Sequence, residues 1–382
     1  MKITLKNTPE QVELIKAMAS RNRSVAFEAQ TALAEFIGPV LAEVINQAPA
    51  LSNLFTTLQY NADDNPSIPL DLYHDISDED YVQVFSQSRA GGLPTSEVLP
   101  TSSELKIATY SLDSAVSFDR RYAAKSRMDV VAKTMTRVAQ EILIKQNTIS
   151  ANVVMKAVAN ATTNGVSHIE ESSAIKRFVL ADLNRMITRS KRIVSSFVGG
   201  TPDARSGRGI TDIICSPEIV EELRAIAYNP INTKGSPAEA SKVVRTADFI
   251  AQEAFSAAGA PEFYGINVIE LNEMGGTGLG GTARQFNNIF VNEQSGNVAL
   301  AGGAAGDQAA AADDELVLGI DRSRESLVRP VAVDADNGGE FNLIADDQYS
   351  IRQNKIGYFG SLEEGRVVLD NRALIGTLVM GA

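Results

Sequence analysis

The chain has 382 residues, 44% of them hydrophobic and 21% charged, with a formal net charge of −12. These are globular values, and the length suits two or three packed units rather than one core. The acidic balance excludes wrapping nucleic acid through the bulk surface, which needs neutralising Lys and Arg. One cysteine (Cys215) and two histidines (His74, His168) exclude an intrachain disulfide and a Cys/His zinc site.

In chain order, "TPEQ" at Thr8 reads as a capping box with Pro9 in the first turn, opening a helical region over 8–48. Phe36, Val40 and Val44 recur there at helical spacing, Pro39 is expected to kink or split the segment, and Pro49 to end it. Such an amphipathic arm must bury its stripe against something. The N-terminus lacks a signal-peptide core, and the longest apolar tract, "ALIGTLVMGA" at the C-terminus, falls short of the ~20 residues of a membrane helix. The expectation is a soluble protein of a reducing cytoplasm, with no membrane partner.

Residues 61–80, "NADDNPSIPLDLYHDISDED", carry seven acidic side chains and no Lys or Arg, and read as a solvated loop. "YVQVF" and "LKIATYSLDSAVSF" then alternate as strands around a loop with Gly91, Gly92, Pro94 and Pro100, which predicts a long β-hairpin needing a partner surface. From Ser126 to Asn164 there is no Gly or Pro, and Met128, Val131, Met135, Val138 and Ile142 keep a helical stripe. One helix of about 35 residues, roughly 50 Å long, is expected, loosened at Thr148-Ile149. A second helix is expected over about 173–197, apolar through Ile175, Phe178, Leu183 and Met186 and basic through Lys176, Arg177, Arg185, Arg189, Lys191 and Arg192. Its basic side is a solvated face or a docking surface for an acidic segment, such as 61–80 of the same or a neighbouring chain.

Beyond residue 209 the pattern changes to short strands and helices. "GITDIICS" is a buried strand running into a helix at Ser216-Pro217; "SPAE" at Ser236 opens another helix; "FYGINVIELNEM", "NNIFVN", "DELVLGI" and "LVRPVAV" read as strands. Ala299 to Glu315 is of low complexity and reads as a loose surface loop. "IRQNKIGYFGSLEEGRVVLDNRALIGTLVM" closes the chain as two strands split by the polar turn "GSLEEG".

Motifs with chemistry are weak. "GTGLGG" (276–281) matches the dinucleotide pattern, but "TARQFNNIFVN" does not read as the helix that must follow. No phosphate-cradling G-x-x-x-x-G-K-[ST] occurs. "DADNGGE" at Asp334 lacks calcium donors at its fifth and twelfth positions, Gly338 and Ala345. "PDARSGRG" is a basic turn, and Cys215 in an apolar run reads as an inert buried thiol. Nothing assembles a nucleophile, a base and an oxyanion site, so no enzyme, cofactor or metal is expected.

The order of these elements resembles the major capsid protein of tailed bacteriophages, the Hong Kong 97-type shell fold. "FIGPVLAEVINQAPALSNLF" is similar to that family's arm, "YVQVFSQSRAGGLP" with "LKIATYSLDSAVSF" to its extended loop, "SRMDVVAKTMTRVAQEILIKQNTI" to its spine helix, "GITDIICSPEIVEEL" to its axial domain and the last segment to its closing strands, including Arg372-Ala373-Leu374. The resemblance implies an α+β fold: an arm (1–70), an extended β-hairpin loop (71–118), a peripheral domain with the spine helix (119–200), an axial domain (201–340) and closing strands shared by both (341–382).

It also implies a structural protein of the virion capsid, assembled in the host cytoplasm. Hexamers and pentamers of this chain would enclose packaged double-stranded DNA, with portal and scaffolding proteins and a possible decoration protein as partners. Subunit contacts are expected at Phe36, Val40, Val44, Tyr81, Val82, Arg89, Leu93, Arg185 and Arg189. The chain departs from crosslinking members of the family in having no lysine from Asn61 to Leu105. With only about 80 residues before the loop, no proteolytic trimming and a separate scaffolding protein are expected. Two rivals stay open: an encapsulin-like cellular compartment of the same fold, and a nucleotide-dependent enzyme using 276–281.

Overall fold

Helix α1 (Pro9–Met18) starts where Thr8 and Pro9 predict, and Thr8 is its N-cap residue, although its side chain makes no capping hydrogen bond. Helix α2 (Arg23–Asn46) runs through Pro39 without splitting. A mid-helix proline costs about 3 kcal/mol; here Ile37, Gly38 and Leu41 are buried on either side of it, and that packing holds the helix together. The computed structural model describes residues 8–46, 48, 50–61, 66–69, 104–125, 128–163, 166–174, 176–194, 209–228, 262–263, 265–275, 284–294, 310, 313–333, 340–346 and 353–381.

Strands β1 (Thr56–Asn61), β2 (Ser67–Pro69), β3 (Glu104–Lys106) and β4 (Thr109–Asp119) follow. The first hairpin arm, "YVQVF", lies outside the described residues. Asp119 caps the short α3 (Arg120–Ala124) by accepting from Arg121 N–H. Helix α4 (Met128–Ala159) has 32 residues, about 48 Å at 1.5 Å per residue. It does not loosen at Thr148, whose hydroxyl donates to the Ile144 carbonyl at 2.9 Å. Then come β5 (Thr162–Thr163), β6 (Val166–Ser167), β7 (Ile169–Glu171), α5 (Leu180–Val194), β8 (Asp212–Cys215), α6 (Pro217–Tyr228), β9 (Glu262–Phe263), β10 (Ile266–Glu270), α7 (Gln285–Gln294), β11 (Glu315–Ile320), β12 (Leu327–Val333), β13 (Asn342–Asp346), β14 (Lys355–Gly365), β15 (Val367–Val368) and β16 (Leu374–Val379).

The chain divides into two units. Unit 1 comprises Met1–Ile68, Leu105–Ser150 and Val328–Val367. Its sheet has the order β1-β12-β14-β13, with β4 zipped to β14 over eleven register pairs from Lys355↔Asp119 to Gly365↔Thr109. Ile15, Met18, Leu33, Ile37 and Leu41 from α1 and α2 pack with Val131, Met135, Val138 and Ile142 from α4 and with Phe118, Ile356 and Tyr358 of the sheet. The stripe predicted for the long helix is therefore core. By length and composition α2 is itself long and apolar enough to cross a membrane, a property that Pro39 hides in the sequence; nine of its residues are buried in the described structure.

Unit 2 comprises Pro69–Glu104, Ala151–Leu327 and Val368–Ala382. Its sheet has the order β7-β16-β11-β8-β10-β9. β8 and β10 are parallel, whereas β11 is antiparallel to both β8 and β16. Phe178, Leu183 and Met186 near and on α5 pack with Ile213, Ile219, Val268, Val317 and Ile375.

Three expectations are corrected. "GSLEEG" is not a turn: β14 runs through it as one 11-residue strand, because Glu363 and Glu364 find partners on neighbouring segments. "NNIFVN" is helical, with Phe286 and Phe290 buried four residues apart and Asn287 bridging the Asp314 carbonyl and Leu316 N–H. The helix expected from 173 begins only at Leu180. Ala174 and Arg177 instead form a β-bridge, Lys176 has φ 59°, and Asp182 accepts from the Ser173 and Val179 N–H groups. The low-complexity stretch also ends in order, since Asp314 and Glu315 are buried.

Candidate functional site

Neither histidine nor cysteine chemistry has a place among the described residues. His168 is fully buried, and its Nδ1 lies 3.2 Å from the Asn371 carbonyl and 3.0 Å from the Leu374 carbonyl. Two acceptors fix a proton on Nδ1, and burial lowers the affinity of the ring for a second. Burial likewise pushes the Cys215 thiol far above its usual range, which makes it unreactive. No cluster of three or more His, Cys, Asp or Glu suited to a metal ion occurs among the described residues.

The glycine-rich loop 276–281 lies outside the described residues. A strand, β10, precedes it and a helix, α7, follows it, so the helix the sequence denied is present. The sheet still does not match a dinucleotide fold: the strand after α7 is antiparallel to β8, where the doubly wound fold requires parallel strands.

What the structure does build in unit 1 is a buried ionic knot. Glu364 has no solvent exposure. Its Oε1 accepts from Tyr110 Oη (2.8 Å) and Arg366 Nη2 (3.1 Å); its Oε2 accepts from Arg329 Nε (2.6 Å) and Gln146 Nε2 (3.0 Å). Arg366 Nη1 donates to the Ser52 carbonyl at 3.1 Å, and its guanidinium lies over the Phe55 ring. Arg329 Nη1 reaches Asn46 Oδ1 at 3.2 Å. Burial alone would raise the Glu364 pKa, but Arg366 and Arg329, with the hydrogen bonds from Tyr110 and Arg329, hold it below its usual range. The knot thus fastens α2, the Leu51–Leu54 turn, β4, α4, β12 and β14. It is a structural joint, since all of these bonds run between parts of the same unit, although Gln146 Oε1 and Arg366 Nε are buried without a hydrogen-bond partner.

The expected contact residues fall into three groups. Phe36 (56% exposed) and Val40 lie uncovered on the outer side of α2, while Val44 is half-buried. Tyr81, Val82, Arg89 and Leu93 lie outside the described residues. Arg185 and Arg189 lie on α5 in unit 2 but behave differently. Arg185 is exposed, with Nε 3.8 Å from Glu170 Oε2. Arg189 is turned inward, where its guanidinium donates to Glu170 Oε1 and to the Ser167 carbonyl. Sequence charge alone had placed both on one outward face; the inward pull on Arg189 comes from β6 and β7, about twenty residues upstream.

Together Glu170, Asn184, Arg185, Thr188, Arg189, Arg192 and Ile193 line a cleft of about 610 Å³. Among its described lining residues are three guanidiniums and one carboxylate, and Glu170 pairs with both Arg189 and Arg185.

No protein-family model and no curated protein matches the chain. Solved structures that resemble it include the capsid of the empty GTA particle (10% identity, 87% of this chain and 91% of that chain, TM-score 0.45). They also include the capsid of the cyanophage P-SCSP1u (12% identity, 86% and 87%, TM-score 0.42). A third is the head of Helicobacter pylori bacteriophage KHP40 (10% identity, 85% and 87%, TM-score 0.43). All three scores lie below 0.5, so weight falls on the chain's own topology.

Proposed function

We propose that the chain is a structural major capsid protein of the Hong Kong 97-type, which self-assembles into a phage head shell around packaged double-stranded DNA and carries no enzymatic activity. Unit 1 would supply the arm and the peripheral domain, and unit 2 the axial domain. Hexamers and pentamers of this chain, with portal and scaffolding proteins and a possible decoration protein, complete the virion in this reading.

The observation that supports it is the use of the last thirty residues. β14 runs the full length of β4 inside the unit 1 sheet, and after a short link β16 lies between β7 and β11 in the interior of the unit 2 sheet. These two strands lie in the interior of the two unit sheets. This placement suits a tile that carries load from neighbour to neighbour. Uncovered Phe36 and Val40 on the arm helix give apolar area for such neighbours, worth about 25 cal/mol per Å² before association costs. The acidic balance of −12 suits a wall that DNA does not adhere to.

Sedimentation velocity of the purified chain, alone and with its scaffolding protein, tests the reading. Uniform particles of many subunits are expected; a chain that stays monomeric or dimeric under both conditions contradicts it.

A further inference from the structure

We propose that the basic cleft on α5 is a docking site for residues 70–80 of a second copy of this chain. The proposal rests on the shell reading above, because assembly is what brings copies together.

The cleft is a built surface. Leu183 and Met186 anchor the opposite side of α5 in the unit 2 core. Asp182 fixes the helix start by accepting from Ser173 N–H, Ser173 Oγ and Val179 N–H at 2.9, 2.7 and 3.2 Å. Arg189 holds Glu170 in place from below. Above this floor Arg185 and Arg192 are exposed on one face, seven residues or about two helical turns apart, with Thr188 between them and Ile193 at the side. The aliphatic stems of the arginines and Ile193 offer apolar surface beneath the charges.

The occupant is identified by complementarity. The segment "LDLYHDISDED" (70–80) has five acidic residues, Asp71, Asp75, Asp78, Glu79 and Asp80, and no Lys or Arg. In an extended strand Asp71, Tyr73, Asp75 and Glu79 share one face, so it offers both carboxylates and an apolar ring. Residues 67–69, just before it, form β2, with Ile68 buried. A nucleic-acid phosphate fits less well, because it brings no apolar side chains and meets the Glu170 carboxylate in the cleft.

Charge reversal in two separate chains tests this. One chain carries Arg185→Glu with Arg192→Glu; the other carries Asp71→Lys with Asp75→Lys. Arg189 is left alone because it holds β6 and β7. Thermal unfolding checks that both variants fold. Each variant alone is expected to need about tenfold more protein to form particles, with the gap narrowing at high salt. A 1:1 mixture is expected to recover, since the reversed segment of one chain fits the reversed helix of the other. Wild-type assembly by both variants, or recovery only when all four substitutions share one chain, overturns docking on a second copy.

A fluorescent peptide of residues 70–80 gives a reading independent of shells. It is titrated onto the Asp71→Lys, Asp75→Lys chain, whose own segment cannot compete. Salt-sensitive binding that disappears when Arg185→Glu and Arg192→Glu are added supports the site even if no shell forms. Absence of binding, or binding of a short DNA duplex in its place, overturns it.

Discussion

Arg329 donates through Nε to Glu364 Oε2 at 2.6 Å, and the two side chains are 4% and 0% exposed. A buried pair of this kind is weak evidence for net stability, since hydrophobic replacements of both partners often do as well. Removing one partner is a different matter. Glu364→Ala leaves the Arg329 and Arg366 guanidiniums buried without their shared carboxylate, and is expected to destabilise the chain by about 3–5 kcal/mol. Denaturant unfolding followed in unit 1 checks this; a loss under about 1 kcal/mol contradicts the knot as a joint.

The same carboxylate sets an acid limit. Its folded pKa is depressed from the usual 4.5, so the unfolded chain binds the proton more readily. The stability it contributes is complete above about pH 4.5 and is lost as pH falls through the lower folded value. Glu364→Gln is therefore expected to flatten the loss of stability between pH 5 and pH 3, measured by unfolding at fixed ionic strength. An unchanged slope contradicts it.

Unit 2 contains a group of opposite sign. Burial first, and then Glu218 and Glu222, push Glu315 up to about 7, against a hydrogen bond from Ser216 and the charge of Arg284. The folded chain then holds a proton that the unfolded chain releases. Stability contributed through Glu315 is greatest near pH 4.5 and falls as pH rises to about 7, by up to about 3 kcal/mol. Glu315→Gln is expected to remove that decline and leave the chain more stable than wild type at pH 8. A variant less stable at pH 8 contradicts the assignment.

Gly360 shows why one part of the sequence misled. In "GSLEEG" two glycines and two glutamates read as a turn, and every local rule agrees. The glycine is there for another reason: a Cβ at 360 would come within 2.4 Å of Phe341 Cζ. Gly360→Ala is expected to destabilise unit 1 by about 1–3 kcal/mol through overpacking. A neutral result in thermal unfolding would show that the Phe341 ring gives way and would contradict the overpacking account.

The partners that make this segment a strand come from far along the chain. Tyr110, Gln146 and Arg329 converge on Glu364, while Tyr60 and Thr109 converge on Glu363. No window of sequence contains them. The α4 stripe, by contrast, was legible, because Val131, Met135, Val138 and Ile142 follow the helix period themselves and are all buried. The helix opening at Pro217 was legible too, and Ser216 Oγ accepts from Ile219 N–H there. "NNIFVN" failed because a short apolar run with β-branched and aromatic residues fits either period; the Asn287 bridge to β11 decides for helix. Of the contact surface, the charge of α5 was readable, but the inward turn of Arg189 was not.

The end of the chain follows from β14 and β16. Truncation before Arg366 removes the Arg366 arm of the knot and all of β16, which pairs with β11 through six residues. The expected outcome is loss of soluble folded protein, with both unit sheets affected; a truncated chain that folds with native-like circular dichroism contradicts the view that this strand is integral.

Cryo-electron microscopy of particles assembled from the purified chain tests the central claim most directly. Closed icosahedral shells are expected, built from one repeating subunit whose density accommodates α4 and the β4–β14 pair. Discrete small oligomers, or no assembly at any concentration with scaffolding protein present, would contradict the claim that this chain is a shell subunit.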